Sequence, residues 1–467
     1  MPGIVRVGTY LPRHRLSAAT QGWPHASSRA VAYHDQDSLT LAIEASRRCL
    51  MGFDQAKVDA VFFVSTSSPF LEKLSSAFLA AGLGLRSDVL ALDIAGSPAG
   101  LGAALEAGLG LIASNRARYV LIASGDCRDA MPFSSIEALS SDAAGAILLG
   151  RQGVIAELEG SSFLALPILD TWQLRHERYL KDTEERFVQE KGYLSALPKA
   201  MEGLLQKIGA RVEDFAYTGI AQPDPRRLGQ AAKALGIGQK GLLGERLYKE
   251  LGYLGCSTPA FLLEEALQMM TSGERALLLG YGDGAFAIAL KAAQGIEKAR
   301  PKEAPRLFRD VPRYTDILKW KDHLPYAPRA RRPSLDPPSP ISLFREREQN
   351  LALVGVRCEG CGYPQYPAQR VCARCRGMNF VPEPFAQKRA TLFTYSLDTL
   401  GPTPDPPLIV CFIDFEGGGR MQCLMTDTDP KELSVGMPLE MTFRRLFVAD
   451  GIPNYFWKCT PMREGKS

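Results

Sequence analysis

Residues 93–113, DIAGSPAGLGAALEAGLGLIA, decide the fold of the larger part of this chain. The apolar run Val89–Asp93 predicts a strand, and Ala99–Ala113 predicts a helix of Ala, Gly and Leu with almost no polar face. A helix without a polar face is expected to be buried on every side. The sequence therefore predicts a central helix enclosed between sheets.

Outside this stretch, short β-branched runs alternate with Ala/Leu-rich stretches up to about residue 293. Strands that alternate with helices predict a layered α/β fold. A strand followed by a glycine-punctuated strand occurs twice, at Val120–Ser124 with Asp142–Gly150 and at Ala276–Gly280 with Gly284–Leu290. This repetition indicates a duplicated unit, with halves at about 1–155 and 156–325.

The bulk composition is that of an ordinary globular protein, with 46% hydrophobic and 23% charged residues among 467. The net charge is only +4, so no single-sign field favours nucleic acid or anionic lipid, and neither partner is expected. The start, MPGIVRVGTYLPRHRL, lacks the apolar core of a secretory signal, and no run approaches the ~20 apolar residues of a membrane span. We expect a cytoplasmic protein.

The character of the chain changes in its C-terminal third. Residues 326–340 are rich in Pro and Arg and predict a linker. A helix and a cysteine-rich segment are expected over 341–380. Short strands separated by turns then predict a small all-β OB barrel over 381–467: Thr391–Leu397, Leu408–Phe415, Met421–Thr426, Leu439–Phe443 and Tyr455–Thr460.

Four of the ten cysteines fall within eighteen residues, in two CxxC pairs ten residues apart. Each CxxC turn can present two thiolates to one tetrahedral zinc ion. The pattern predicts a zinc ribbon with the ligands Cys358, Cys361, Cys372 and Cys375. Because protein would fill all four coordination positions, the metal is expected to be structural.

An OB barrel can bind nucleic acid or another ligand, which leaves a binding module as an alternative function. Asp414, Glu416, Asp427 and Asp429 lie in or next to the predicted strands, and no ladder of aromatic and basic residues accompanies them. This pattern disfavours nucleic acid.

Residues 341–462 resemble the zinc-ribbon/OB proteins that accompany thiolases and acyl-CoA condensing enzymes. The resemblance is carried by LALVGVRCEGCGYPQYPAQRVCARCRGMNF, ATLFTYS and PPLIVCFIDFEGGGRMQCLM. It implies a module that bridges subunits and helps to place CoA or the substrate.

Residues 1–325 resemble the hydroxymethylglutaryl-CoA synthase branch of the thiolase superfamily, which is also related to ketoacyl synthase III. Several segments carry the resemblance in the right order, among them GIVRVGTYLPRHRL, DSLTLAIEASRRCL, VDAVFFVSTSSP, GYGDGAFAIAL and VPRYTDILKW. It implies a five-layer αβαβα fold, a CoA thioester as substrate or ligand, and a dimer or a thiolase-family partner subunit.

The catalytic residues of that family are not found at the matching positions. The family uses a Cys nucleophile at the start of the central helix, a His, an Asn and an acidic residue. The matches place other residues there: Pro98 or, with a one-residue shift, Ser97 for the Cys, Ala221 for the His in Ile220–Asp224, Tyr253 for the Asn, and Thr66 for the acid. Classical Cys-dependent acyl transfer is therefore predicted to be lost.

Other residues could take part in catalysis instead. Ser97 could be a nucleophile if a base activated it. Cys256, Cys127 and Asp283 are also candidates, but the two cysteines could equally be packing residues, and Asp283 in GYGDG could equally form a turn. The five histidines lie in polar or linker-like segments and supply no recognisable base: His14, His25, His34, His176 and His323.

Three functions follow from this pattern. The first is a degenerate or atypical subunit of an acyl-CoA condensing or thiolytic complex. The second is a self-sufficient condensing enzyme that uses Ser97 or no covalent intermediate. The third is the OB-fold binding module.

Overall fold

A computed structural model describes residues 2–222, 224–301, 307–324 and 336–462. The described residues form two compact units. The first takes residues up to Ala32, Asp37–Ala80 and Leu85–Val311, and the second takes Tyr33–Gln36, Ala81–Gly84 and the residues from Pro312 onward. None of the described helices is both long enough and apolar enough to cross a membrane.

The part of the chain up to residue 311 contains fourteen described strands and ten described α-helices. The strands are β1 (Gly3–Tyr10), β2 (His14–Leu16), β3 (Arg29–Val31), β4 (Ala60–Ser65), β5 (Leu90–Ala95), β6 (Tyr119–Asp126), β7 (Ala143–Gly150), β8 (Ala156–Ala165), β9 (Thr171–Trp172), β10 (Lys181–Asp182), β11 (Tyr217–Ala221), β12 (Arg275–Tyr281), β13 (Gly284–Ala292) and β14 (Arg309–Asp310). The helices are α1 (Ser38–Cys49), α2 (Ser75–Gly82), α3 (Gly100–Ala113), α4 (Ser135–Leu139), α5 (Glu185–Phe187), α6 (Leu194–Ile208), α7 (Leu228–Ala234), α8 (Glu245–Leu251), α9 (Thr258–Met269) and α10 (Ile296–Ala299).

Nine of these strands form one sheet in the order β11-β12-β13-β8-β1-β7-β6-β4-β5. Its two halves join where β1 pairs with β8 at only two positions, Gly3 with Glu157 and Ile4 with Ala156. Helix α1 packs on β1 and β7, and α6 packs on β8 and β13. Helices α3 and α9 each contact strands of both halves and form the layer between them. The predicted five-layer α/β arrangement is therefore confirmed.

The expectation that the central helix is buried on every side is wrong for the single chain. Leu101, Leu105 and Ile112 of α3 are almost completely buried, but Ala103, Ala107 and Gly110 are exposed along one face. The pattern of small apolar residues indicates close packing, and in one chain only part of the helix surface has a protein neighbour. The composition therefore predicted the apolar character of the helix correctly. It did not predict that one chain leaves part of the helix surface exposed.

The remaining described residues supply three helices and eight strands: α11 (Tyr314–Trp320), α12 (Pro340–Arg345), α13 (Arg347–Leu351), β15 (Val354–Cys358), β16 (Pro364–Gln365), β17 (Phe380–Pro384), β18 (Ala390–Asp398), β19 (Leu408–Phe415), β20 (Arg420–Met425), β21 (Pro438–Ala449) and β22 (Ile452–Pro461). Strands β15–β17 form a small ribbon sheet, and β18–β22 close a five-stranded barrel, as the sequence predicted. Most of the predicted linker, residues 326–335, lies outside the described residues, and Pro340 begins α12.

Candidate functional site

The carboxyl ends of neighbouring strands bring several predicted site positions to one region of the first unit. Thr66 follows β4, and Ser97 lies two residues beyond β5, which pairs with β4 in parallel. Ala221 ends β11 opposite Gly280 of β12, and the chain beyond β12 reaches Ser97 through Gly282. Ser97 is thus in contact with the turn that follows β12, and Ala221 lies on the strand that pairs with β12.

The Ser97 hydroxyl is engaged in local structure. It donates to the carbonyl oxygen of Gly282 at 3.1 Å and accepts the backbone N–H of Ala99 at 3.2 Å. The turn 97–99 approaches Gly282 so closely that a Cβ there would lie 2.8 Å from the Ala99 nitrogen. Ser97 therefore behaves as a helix-start residue, and none of the five histidines is its hydrogen-bond partner in the described structure.

Asp283 interacts with this hydroxyl through its carboxyl group. Its backbone is left-handed, with φ of 49°, and it forms the tight turn between β12 and β13. Partial burial raises the pKa of its carboxyl group, while a hydrogen bond with Ser97 acts in the opposite direction. A carboxyl group with a raised pKa beside a hydroxyl is an arrangement that general-base chemistry can use.

The matched His and Asn positions supply no acid or base of the ordinary kind. Ala221 is a buried methyl group, and Pro223 of the same matched segment lies outside the described residues. Tyr253 is 2% exposed, and burial raises the pKa of its phenol far above the usual value. Its backbone is fixed by hydrogen bonds with Leu139 and Ser141.

A buried carboxylate that the sequence analysis missed organises the region behind this site. Asp126 accepts hydrogen bonds from the backbone N–H groups of Thr66 at 2.7 Å and Cys256 at 2.8 Å, and from the hydroxyls of Ser65 and Ser67 at 3.2 Å. The Cys256 thiol is fully buried and lies 3.3 Å from the Val64 carbonyl oxygen, and burial is the main reason that its pKa is raised. Cys256 is therefore a packing residue in this geometry.

Two adjacent cavities lie in the first unit, and Tyr253 lines the smaller one. The larger, of about 850 Å³, is lined by His25, Arg29, Arg226 and Lys249 together with Glu245. Burial lowers the pKa of Arg29 to about 10. The smaller, of about 140 Å³, is lined by polar side chains that include Arg128, Asp170, Tyr193 and Tyr253. Ser135, Leu139 and Arg226 line both cavities, so the two are adjacent.

The four ribbon cysteines converge on one point in the second unit. Their sulfur atoms lie within 4.8 Å of one another, with Cys358 and Cys375 at 3.5 Å and Cys361 and Cys372 at 3.6 Å. Disulfide bonds would need about 2.05 Å, whereas tetrahedral zinc with 2.3 Å bonds places sulfurs about 3.8 Å apart. Backbone N–H groups of Arg374 and Cys375 point at the Cys372 sulfur, an arrangement that favours a thiolate. The donor set therefore fits zinc.

Fold and site together define a thiolase-fold chain that carries a zinc-ribbon and OB pair. Residues 345–381 match the family described as the "ChsH2, rubredoxin-like zinc ribbon domain", and residues 383–444 match the "ChsH2, C-terminal OB-fold domain". These matches confirm the ribbon and the barrel predicted from the sequence.

Comparison with known proteins confirms the resemblance of the larger part. A hydroxymethylglutaryl-CoA synthase of Thermococcus gammatolerans is 29% identical over 342 residues, which cover 71% of this chain and 96% of that protein. A structure of 3-oxoacyl-(acyl-carrier-protein) synthase III aligns with a TM-score of 0.55 at 20% identity, covering 62% of this chain and 99% of the other. A structure of hydroxymethylglutaryl-CoA synthase complexed with CoA gives 0.57 at 18%, covering 64% and 84%.

Proposed function

We propose that this chain is an acyl-CoA-binding subunit of a condensing or thiolytic complex, in which the thiolase-type site no longer forms a covalent acyl intermediate. The single observation that carries the proposal is the state of Ser97. Its hydroxyl is held by the turn at the start of α3, and an alanine stands where the family's imidazole would activate a nucleophile.

The larger cavity supports the binding part of the proposal. Four side chains with cationic or titratable nitrogen line it, and one acidic residue accompanies them: His25, Arg29, Arg226, Lys249 and Glu245. Such a surface suits the phosphate groups of CoA, and the volume is within the range of cofactor sites. Two of the proteins compared above are hydroxymethylglutaryl-CoA synthases, and the structure of one of them was solved in complex with CoA.

An unpartnered edge supports the assembly part. Strand β5 ends the nine-stranded sheet, so its outer backbone groups have no strand partner among the described residues. Leu90 and Leu92 of this strand are 50% and 40% exposed. An exposed apolar edge strand is a template for pairing with another sheet. In this proposal, the β5 edge and the exposed face of α3 bind a second thiolase-fold chain. That chain is either another copy or a catalytically competent partner.

The ribbon and barrel are assigned to organising the complex and its CoA substrate. Cys358, Cys361, Cys372 and Cys375 would hold one structural zinc ion, which cross-links the two CxxC turns when bound. The full set of protein ligands leaves no open position for a substrate, so the metal has a folding role in this proposal.

Intact-mass spectrometry tests the proposal. The purified chain, alone and with any co-purifying chain, is incubated with acetyl-CoA and acetoacetyl-CoA. We expect CoA binding but no acyl adduct on this chain, with acylation confined to a thiolase-type partner. An adduct here that disappears in Ser97→Ala would overturn the degenerate-site proposal.

The second candidate is a self-sufficient acyltransferase that uses Ser97. It is favoured by one observation, the raised pKa of Asp283 next to the hydroxyl. In that mechanism Asp283 accepts the Ser97 proton as the oxygen attacks the thioester carbonyl carbon, and the CoA thiolate leaves. An adduct lost in both Ser97→Ala and Asp283→Asn is the result that this candidate requires.

A further inference from the structure

Arg128 is a buried cation without a counterion of its own. It follows β6 by two residues and is only 8% exposed. Its Nε atom is buried without a hydrogen-bond partner, and among the described residues no carboxylate forms an ion pair with its guanidinium group. The guanidinium group lies over the ring of Tyr253, with its carbon atom 5.7 Å from the ring centroid.

A buried guanidinium nitrogen without a hydrogen-bond partner is unfavourable in a folded protein. An aromatic face compensates only a small part of the lost hydration. Such a group is expected where a ligand supplies the missing negative charge, because guanidinium binds carboxylate with two parallel hydrogen bonds.

The surroundings of Arg128 form a small polar chamber. Tyr193, which is 2% exposed, also lines the chamber, and its hydroxyl has no hydrogen-bond partner in the described structure. A phenol can donate to a carboxylate that Arg128 holds. Two unsatisfied donors, one of them charged, therefore share one cavity.

Four acidic residues also line the chamber, and the structure accounts for each. Asp224 and Glu185 are neutralised by Arg226 and Arg227, with Asp224 to Arg226 at 2.9 Å and to Arg227 at 3.0 Å. Asp182 is exposed to solvent. The Asp170 carboxylate accepts the Thr171 N–H at 2.6 Å and lies close enough to Tyr281 to raise the pKa of that phenol. None of the four pairs with Arg128.

From this geometry we propose that the chamber binds the free carboxylate of a short acyl chain, with Arg128 and Tyr193 as the recognising side chains. The inference rests on the proposed acyl-CoA-binding function, and it names the class of acyl group. The adjacent larger cavity would hold the CoA portion. A volume of about 140 Å³ suits a short carboxylated chain.

The test compares two ligands of equal carbon number, glutaryl-CoA and pentanoyl-CoA, by isothermal titration calorimetry on the full chain. A charged bidentate pair predicts that glutaryl-CoA binds about ten- to one-hundredfold more tightly. Arg128→Gln should remove this preference, so that the two ligands bind with equal affinity. Tyr193→Phe should reduce the preference only in part, and Arg175→Gln, an exposed arginine outside the chamber, should have no effect.

Stability supplies a second readout that a structural role of Arg128 would not give. Removal of an unpaired buried charge is expected to leave the melting temperature of the ligand-free chain unchanged or higher in Arg128→Gln. Equal affinities of the wild-type chain for the two ligands, or a preference that survives in Arg128→Gln, would overturn the carboxylate site while the proposed function stands. Failure to bind CoA and both thioesters would overturn the proposed function as well.

Discussion

Ser97, which the family resemblance places at or next to the nucleophile position, is held by local hydrogen bonds. A serine at the start of a helix can satisfy a free backbone N–H group, and Ser97 does this for Ala99 while its own proton points to Gly282. To serve as a nucleophile it would have to exchange these bonds for a base. The hydrogen bonds that position it therefore also restrain it.

Gly282 has no room for a side chain next to the turn at Ser97. Gly282→Ala would bring a Cβ to within 2.8 Å of the Ala99 nitrogen and 3.0 Å of the Pro98 ring, so the turn at Ser97 must move. We expect a loss of about 1–3 kcal/mol in unfolding free energy, measured by urea denaturation. Gly229→Ala is the control, because it lies in α7 with open space around it and should stabilise by up to about 1 kcal/mol. Equal effects of the two variants would contradict the close approach.

How far the site could be predicted depends on how local its chemistry is. The four cysteines were found because both ligands of each turn lie three residues apart, and the structure brings all four together. Arg128 was missed because it stands in DCRDAM, a polar stretch that is typical of a surface loop. Its burial comes from Tyr253 and the segment 170–193, which are distant in sequence.

At the scale of elements, the zinc ribbon is too small to hold its shape by apolar packing alone. Its sheet has three short strands, and the turns that carry the cysteines use left-handed backbone at Gly362 and Arg376. In such a ribbon the metal supplies much of the folding free energy. The ribbon should therefore depend on zinc much more than the barrel does.

Metal analysis tests this dependence. The purified chain should contain one zinc ion per chain by inductively coupled plasma mass spectrometry, and Cys361→Ser or Cys372→Ser should reduce it to near zero. Cys127→Ser, outside the ribbon, is the matched control and should retain full zinc content. Retention of zinc in both ribbon variants would refute the assignment of the ligands.

The second unit contains a buried charge cluster, between the segment Tyr33–Gln36 and the barrel, that no local pattern predicts. Asp35 accepts hydrogen bonds from Arg444 at 2.9 Å, from Lys458 at 2.8 Å and from Thr426 at 3.0 Å, and Arg444 also pairs with Asp427 at 2.6 Å. Arg444 and Asp35 are completely buried. Strand positions in the barrel followed from alternation and turn residues, but a pairing between residues 409 apart in sequence arises only in the folded chain.

The pH dependence of stability tests this cluster. Burial raises the pKa of Asp35, but Lys458 and Arg444 outweigh it and bring the folded-state pKa far below the usual value. Its contribution is therefore complete above the unfolded pKa of about 4 and is lost as the pH falls below it. Asp35→Asn should cost about 3–5 kcal/mol at pH 7 and clearly less at pH 3, by urea denaturation.

The control for this measurement is Asp414→Asn, which removes an exposed ion pair with Arg420 on the same barrel. It should cost less than about 1 kcal/mol at pH 7. A cost of Asp35→Asn that does not change between pH 7 and pH 3 would show that the charge of Asp35 does not stabilise the barrel.

At the scale of the whole molecule, one chain leaves apolar surface on the elements that its sequence marks as core. The edge of β5 exposes Leu90 and Leu92, and α3 exposes Ala103, Ala107 and Gly110. Exposed apolar surface on a strand edge and on a small-residue helix face is typical of an interface between subunits. Under the proposed function, this surface would bind a second thiolase-fold chain, and a chain without a nucleophile could be retained because it completes that interface.

The last prediction concerns this interface. Leu92→Lys places a charge on the β5 edge, where a paired sheet would have to bury it without a counterion. We expect the complex, with another copy or with a thiolase-type partner, to weaken at least about tenfold, because an unpaired charge at an interface costs more than 1.4 kcal/mol. Light scattering coupled to size-exclusion chromatography measures the change. Val435→Lys is the control, because it replaces another exposed apolar side chain with lysine, at a turn of the barrel. It should leave the molar mass of the complex unchanged. Two results would contradict this interface: a wild-type chain that stays monomeric and captures no thiolase-type chain, or a Leu92→Lys complex of unchanged affinity. Either result would show that the β5 edge is not part of an assembly. The exposed face of α3, with Ala103, Ala107 and Gly110, would then have no explanation.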